Sequence, residues 1–177
     1  MKRLLLYAAL LLLTQCSKCK QEDPSPESQL PPSTQTGANT FGCLVNGQPW
    51  TPKGGDGTAN YTVSYDAAYR KGTLNIYTYR ITGTTAYTYQ SITLFSDSLT
   101  RTGIYSLTIA GHQEGLFSDL STGCKFHGNA PHYRRGNLTI TRLDLQAGII
   151  AGTFAFTLYK PGCDSIRVTN GRFDKQL

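Results

Sequence analysis

The feature that most restricts this chain is a two-residue rhythm. From Phe41 onward, Thr, Tyr, Ile, Val and Phe alternate with polar residues in runs that stop every ten residues or so at Gly, Asn, Asp or Pro. A period of two puts successive side chains on opposite faces of an extended strand, and the interruptions supply turn chemistry. The runs fall at 41–45, 48–50, 61–65, 73–81, 87–96, 103–109, 137–143, 149–159 and 163–169. Asn46-Gly47 is a strong hairpin turn because both residues accept positive φ. Asp144 to Gly148 and Lys160-Pro161-Gly162 close two later hairpins. On the last strands Leu138, Ile140, Ile150, Phe154, Phe156, Leu158, Ile166 and Val168 share the apolar positions and are expected in the core. About eight to ten antiparallel strands must hide their edges, so the fold is all-β, a sandwich or a barrel, with the sandwich preferred.

The N-terminus has a different grammar. Lys2 and Arg3 precede an apolar run, Leu4 to Leu13, too short to span a bilayer. Leu13-Thr14-Gln15-Cys16 resembles the lipobox at which lipoprotein signal peptidase cuts before a lipid-modified cysteine. This divides the chain into a signal peptide (1–15), a lipidated Cys16 with a flexible tether (16–40), and one domain (41–177). Pro24, Pro26, Pro31 and Pro32 stand in the tether among Ser, Thr and Gln, a composition without a core. Fully extended, it reaches about 80 Å. The expected membrane partner is therefore reached through the acyl chains alone.

The chain carries a net charge of +6, but its cations are scattered, and only Arg70-Lys71 and Arg134-Arg135 are adjacent within the domain. Scattered charge is a solvated surface, and an exported protein does not meet nucleic acid as its normal partner.

Cys43, Cys124 and Cys163 lie in the domain, in a compartment where disulfides persist. Continuing the hairpin pairing of 137–159 toward Cys163 points to the neighbourhood of residue 129, so Cys124 to Cys163 is the first choice of bridge and Cys43 to Cys163 the alternative. Cys124-x2-His127-x4-His132, with Asp119 and His112 upstream, also has metal-ligand types. A cysteine here pairs with cysteine more readily than with zinc, so no metal site and no cofactor is expected.

The tyrosines are the most distinctive side chains. With Thr82-Gly83-Thr84 as a loop, Tyr77 opposes Tyr89 and Tyr79 opposes Tyr87, all on the face opposite Leu74, Ile76, Ile92 and Leu94. Such a patch would stack on a glycan or clamp a peptide. Catalytic signatures are missing: there is no Gly-x-Ser-x-Gly and no His-Glu-x-x-His, and Glu114 is the domain's one glutamate.

Thr40-Phe41-Gly42-Cys43-Leu44-Val45-Asn46-Gly47-Gln48-Pro49-Trp50 at the start, and Gly152-Thr153-Phe154, Lys160-Pro161-Gly162-Cys163-Asp164 and Asn170-Gly171-Arg172-Phe173-Asp174 at the end, resemble a family of uncharacterised small lipoproteins of Bacteroidota. The charged residues after Cys16 loosely resemble the surface-export signal of such proteins. The resemblance implies an outer-membrane lipoprotein, periplasmic or surface-exposed, and implies no chemistry. The expectation is a non-catalytic binding or accessory module for a glycan, a peptide or an envelope protein. The alternatives are a β-barrel carrier of a small apolar ligand and a secreted hydrolase.

Overall fold

The computed structural model describes residues 24–126 and 132–177. Cys16, the signal peptide and His127 lie outside them. Among the described residues there are twelve strands: β1 (Thr40–Val45), β2 (Gln48–Trp50), β3 (Tyr61–Asp66), β4 (Thr73–Thr82), β5 (Thr88–Ser96), β6 (Gly103–Ser106), β7 (Thr108–Ile109), β8 (Gln113–Asp119), β9 (Cys124–Phe126), β10 (Tyr133–Asp144), β11 (Ile149–Tyr159) and β12 (Ile166–Gln176). They form two antiparallel sheets. The first runs β2-β1-β12-β11-β10-β6, and the second runs β3-β4-β5-β8-β7 with β9 also on β8. No described helix is long and apolar enough to cross a membrane.

The sheets pack as a sandwich and do not close into a barrel. Their interior is filled by Trp50, Leu74, Ile76, Ile92, Leu94, Phe117, Phe126, Leu138, Phe154, Phe156 and their neighbours. That overturns the barrel-carrier alternative, because the lumen such a carrier needs is occupied by side chains.

Turn chemistry explains the opening hairpin. Asn46 and Gly47 take φ of 49° and 80°, and Val45 pairs with Gln48 across them. β10 and β11 close on Asp144 and Ile149, one residue off the Leu143–Ile149 pair implied by sequence runs that end at 143 and resume at 149. A bulge between Ile140 and Arg142 then restores the expected register, with Ile140 opposite Gly152.

Three differences from the sequence pattern have physical causes. The run at 103–109 is split between the sheets, and buried Leu107 enters the core where the chain crosses over. β8 was hidden because its inward positions are Gly115, Phe117 and Asp119, only one of them a large apolar residue. β12 runs on to Gln176 because a bulge near Asn170, at φ 52°, flips the alternation and brings Phe173 into the core alongside Val168.

The inner face of the first sheet interlocks rings with glycines on neighbouring strands. Phe154 pairs with Gly171, Phe156 with Gly136 and Phe173 with Gly152. A Cβ on Gly171 would come 2.5 Å from the Phe154 ring, and one on Gly136 would come 2.4 Å from Ala155 O. From the second sheet Gly115 meets the same Phe156, where a Cβ would lie 2.7 Å from the ring. The sheets approach closely there because one side has no side chain.

One end of the core is capped by a polar row, Arg80–Gln90–Asp119, across β4, β5 and β8. Gln90 receives Trp50 Nε1 at 3.1 Å and Arg80 Nη2 at 2.8 Å, and donates to Asp119 at 2.7 Å. Burial opposes the Asp119 charge, yet hydrogen bonds from Ser121 and Gln90 outweigh it and hold its carboxyl below the ordinary range. Near this end the Cys124–Cys163 disulfide, with Cα atoms 6.0 Å apart, ties β9 to the turn before β12. Cys43, the alternative partner, is a free thiol in the core.

The tether expected over 16–40 is docked in its second half. Leu30 is buried, and Pro31 lies so close over Gly42 that a Cβ there would meet Pro31 Cδ at 2.6 Å. Asp174, 1 % exposed, accepts Thr34 Oγ1 at 2.7 Å and the N–H groups of Thr36, Gly37 and Ala38 at 2.8, 2.8 and 3.1 Å. A segment with no ladder partner has N–H groups to spare, and a buried carboxylate must find donors. Burial pushes the Asp174 carboxyl up, but these bonds outweigh burial and keep its pKa below the ordinary value.

Candidate functional site

The expected tyrosine patch is only partly assembled. β4 and β5 pair Tyr77 with Thr93, Tyr79 with Ser91 and Ile81 with Tyr89. The loop between them is five residues, Gly83 to Tyr87, rather than the expected three, so the tyrosine-on-tyrosine register does not form. Parity survives the shift, and Tyr77, Tyr79 and Tyr89 still share the outer face. The Tyr79 and Tyr89 rings stack at 5.3 Å, and the Tyr77 and Tyr89 hydroxyls meet at 2.9 Å. Tyr79 is fully buried, because the 51–60 loop folds over it: its hydroxyl lies 2.8 Å from Asp56 Oδ1 and 2.7 Å from Thr58 O, two acceptors that share its one proton. Tyr87 stands apart, 72 % exposed. This cluster anchors a loop and offers no flat platform.

The metal pattern is dispersed. Cys124 is oxidised, His112 is bonded to Asp97 at 2.7 Å, and His132 uses its backbone N–H on Tyr159 O. Among the described residues no group of three or more His, Cys, Asp or Glu is placed to hold a metal ion. A hydrolase would need an acid and a histidine in one cleft beside a nucleophile. His112 and Asp97 do meet, with Arg70 3.7 Å from the same carboxylate oxygen, but no hydroxyl or thiol among the described residues bonds to His112.

A broad depression lies elsewhere, on the outer face of the first sheet. It is a groove of 930 Å³. Its floor is the outward set of three long strands: Arg135, Asn137 and Thr139 on β10, Thr153, Ala155 and Thr157 on β11, and Arg167, Thr169 and Arg172 on β12. Ser106 and Thr108 form one wall, and Glu27 and Ser33 from the docked N-terminal strap form the other. Direct pairing aligns Arg135, Thr157 and Arg167 in one row across the sheet, and Thr139, Thr153 and Arg172 in another. The first row covers two strand spacings, about 10 Å. The two rows lie four residues apart on β10, about 13 Å.

The outward positions of β10 and β11 also include Tyr133 and Tyr159. These are cross-strand partners, 46 % and 44 % exposed, next to the Arg135 row. They extend the face to about 20 Å, measured from Tyr133 to Thr139. Glu27 is the one acid in the lining, and it is bound to Arg172 at 2.9 Å. Neither Arg135 nor Arg167 has an acidic partner among the described residues. Counting cations along the chain missed this set. The signal was in the alternation, which puts Arg135 and Thr157 outward as surely as it puts Leu138 and Phe156 inward, but only the β12 bulge brings Arg167 and Arg172 to the same side. Compared with protein-family models, with curated proteins and with solved structures, the chain matches none.

Proposed function

We propose that this is an exported, lipid-anchored envelope protein of the Bacteroidota lipoprotein kind, acting as a non-catalytic binding module whose ligand lies in the groove on the outer face of the first sheet. The address rests on the signal-like N-terminus, on Cys16 in its lipobox-like setting, and on the resemblance at the two ends of the domain. The site rests on one observation: a broad outer face on long interior strands is left bare and carries Arg135 and Arg167 without acidic partners among the described residues, while Tyr79 in the tyrosine cluster of the second sheet is covered by the protein's own loop. Strands hold their side chains in fixed rows, so an extended ligand meets a preorganised surface.

Membrane fractionation tests the address. Cys16→Ser is expected to move the protein to the soluble fraction and to end lipid labelling, and persistent labelling would show a different acylated residue. Pull-down of the purified protein against envelope extract tests the site. Ala155→Trp, which fills the groove floor from an exposed position, is expected to abolish capture while leaving the melting temperature unchanged. Undiminished capture by that variant would remove the groove from the reading.

A further inference from the structure

Resting on the reading of this groove as the ligand face, we infer that its occupant is an acidic polysaccharide, a glycan bearing carboxylate or sulfate groups along its length. Three features of the groove specify this class. The first is charge. Arg135 and Arg167 flank Thr157 in one row and have no acidic partner among the described residues, so two planar guanidinium forks and a hydroxyl face a single strip of solvent. Guanidinium binds carboxylate and sulfate through paired, charge-assisted hydrogen bonds.

The second is the floor between the arginines. Asn137, Thr139, Thr153 and Thr157 supply hydroxyl and amide groups on a regular lattice, with the small side chain of Ala155 among them. That lattice matches a chain of ring hydroxyls, whose C–H faces can lie on the small apolar surface between them. A peptide adding itself as a strand would need a free edge; β11 and β12, which carry most of the floor, are paired on both sides, and only the ends of β10 outside Asn137 to Ile140 lie free of β6. The third is the Tyr133–Tyr159 pair at the end of the face. Half-exposed phenol rings stack on the C–H faces of pyranose rings and donate through their hydroxyls.

Arg172 belongs to the same surface but is held by Glu27 and by Pro31 O. An acidic sugar reaching that row therefore exchanges with Glu27 on the strap, and the docked strap sets one boundary of the bound chain.

The test titrates the full-length protein with four probes of matched length: polygalacturonate, dextran sulfate, neutral dextran and polyglutamate. One or both acidic glycans are expected to bind, each weakening with added salt. Arg135→Ala/Arg167→Ala is expected to weaken that binding at least about tenfold, with unchanged circular dichroism because both side chains are exposed. Arg101→Ala/Lys125→Ala removes the same charge outside the groove and is expected to stay within about twofold. The balance between polygalacturonate and dextran sulfate separates carboxylate from sulfate recognition. Neutral dextran binding as tightly as the acidic glycans would overturn the inference and leave the groove a glycan site. Polyglutamate binding as tightly as either would overturn it in favour of an acidic peptide. No binding to any probe would overturn it as well, and the Ala155→Trp capture would then decide separately whether the groove is a ligand face.

Discussion

The two sheets obey the same alternation and treat their outer faces in opposite ways. On the second sheet the 51–60 loop folds over Tyr79 and is fastened by its hydroxyl, so an outward position becomes fully buried. On the first sheet the outward positions of β10 and β11 remain open, and only the border near Arg172 is covered, by the strap that Asp174 fastens. Alternation decides which side of a strand a residue takes. What covers that side is decided by a distant segment, and a covered face becomes structure while an open one stays free to meet a ligand.

The largest expected effect is at the point both sheets share. Gly115→Val would drive its side chain into the Phe156 ring, 2.7 Å from where the first carbon would sit. A loss of about 3 kcal/mol or more is expected, read by denaturant melts, and a mild effect would show that the sheets can separate without cost. Next comes the contrast between faces. Tyr79→Ser is expected to lose about 3 kcal/mol, as a buried ring does, while Thr153→Ala on the open face stays within about 0.5 kcal/mol. Equal losses would erase the distinction between the faces. Removing the bridge with Cys124→Ser/Cys163→Ser, a sequence separation of 39, is expected to cost a similar amount, roughly 3 to 4 kcal/mol by the chain-entropy estimate. Denaturant melts read that loss too, and an unchanged midpoint would show that the bridge constrains nothing.

The strap gives a smaller and pH-dependent effect. Asp174→Asn is expected to cost about 2 kcal/mol, because five donors lose a charged acceptor. The folded pKa of Asp174 lies below its ordinary value, so its contribution is fully present above about pH 4 and is lost as the pH falls through the folded pKa. Thermal melts of the two proteins should therefore converge on acidification, and a gap that persists in acid would show that the carboxylate charge does not hold the strap. The smallest effect belongs to Tyr87→Ser, expected within about 0.5 kcal/mol at an exposed loop position; a large loss there would mean that the tyrosine face is more complete than its register allows.

Much of the architecture was legible in the residues because turn chemistry and alternation agreed. Asn46-Gly47, the β10–β11 hairpin and the inward set from Leu138 to Val168 all appear where the pattern puts them, although Ile166 is only half-buried. Carrying hairpin pairing onward pointed to the neighbourhood of residue 129 and left two bridges open, Cys124–Cys163 first and Cys43–Cys163 second, of which the structure has the first. The pattern failed where a side chain's role depends on a partner far along the chain. β8 turns glycine and aspartate inward because Phe156 of the other sheet fills the space above Gly115. The tyrosine register moved because a five-residue loop replaced a three-residue one. Five consecutive residues near the C-terminus show the same dependence most sharply. Asn170 makes the bulge, Gly171 seats the Phe154 ring, Arg172 lines the groove, Phe173 enters the core and Asp174 fastens the strap. None of these roles can be assigned without Phe154, Glu27 and Thr34 in place.

Cys43 remains. It is fully buried on β1 opposite Trp50, and burial pushes its thiol far up despite the nearby Arg80 guanidinium. A thiol in that position is a natural clock for the opening of the sandwich, since a reagent reaches its sulfur only after β1 has left its neighbours. Pulsed alkylation followed by peptide mass analysis would count those openings at a single atom, without a label or an engineered site. Refolded under oxidising conditions, a chain that leaves Cys43 exposed would be open to the wrong disulfide, so the Cys124–Cys163 pairing itself would record that the core closed in time.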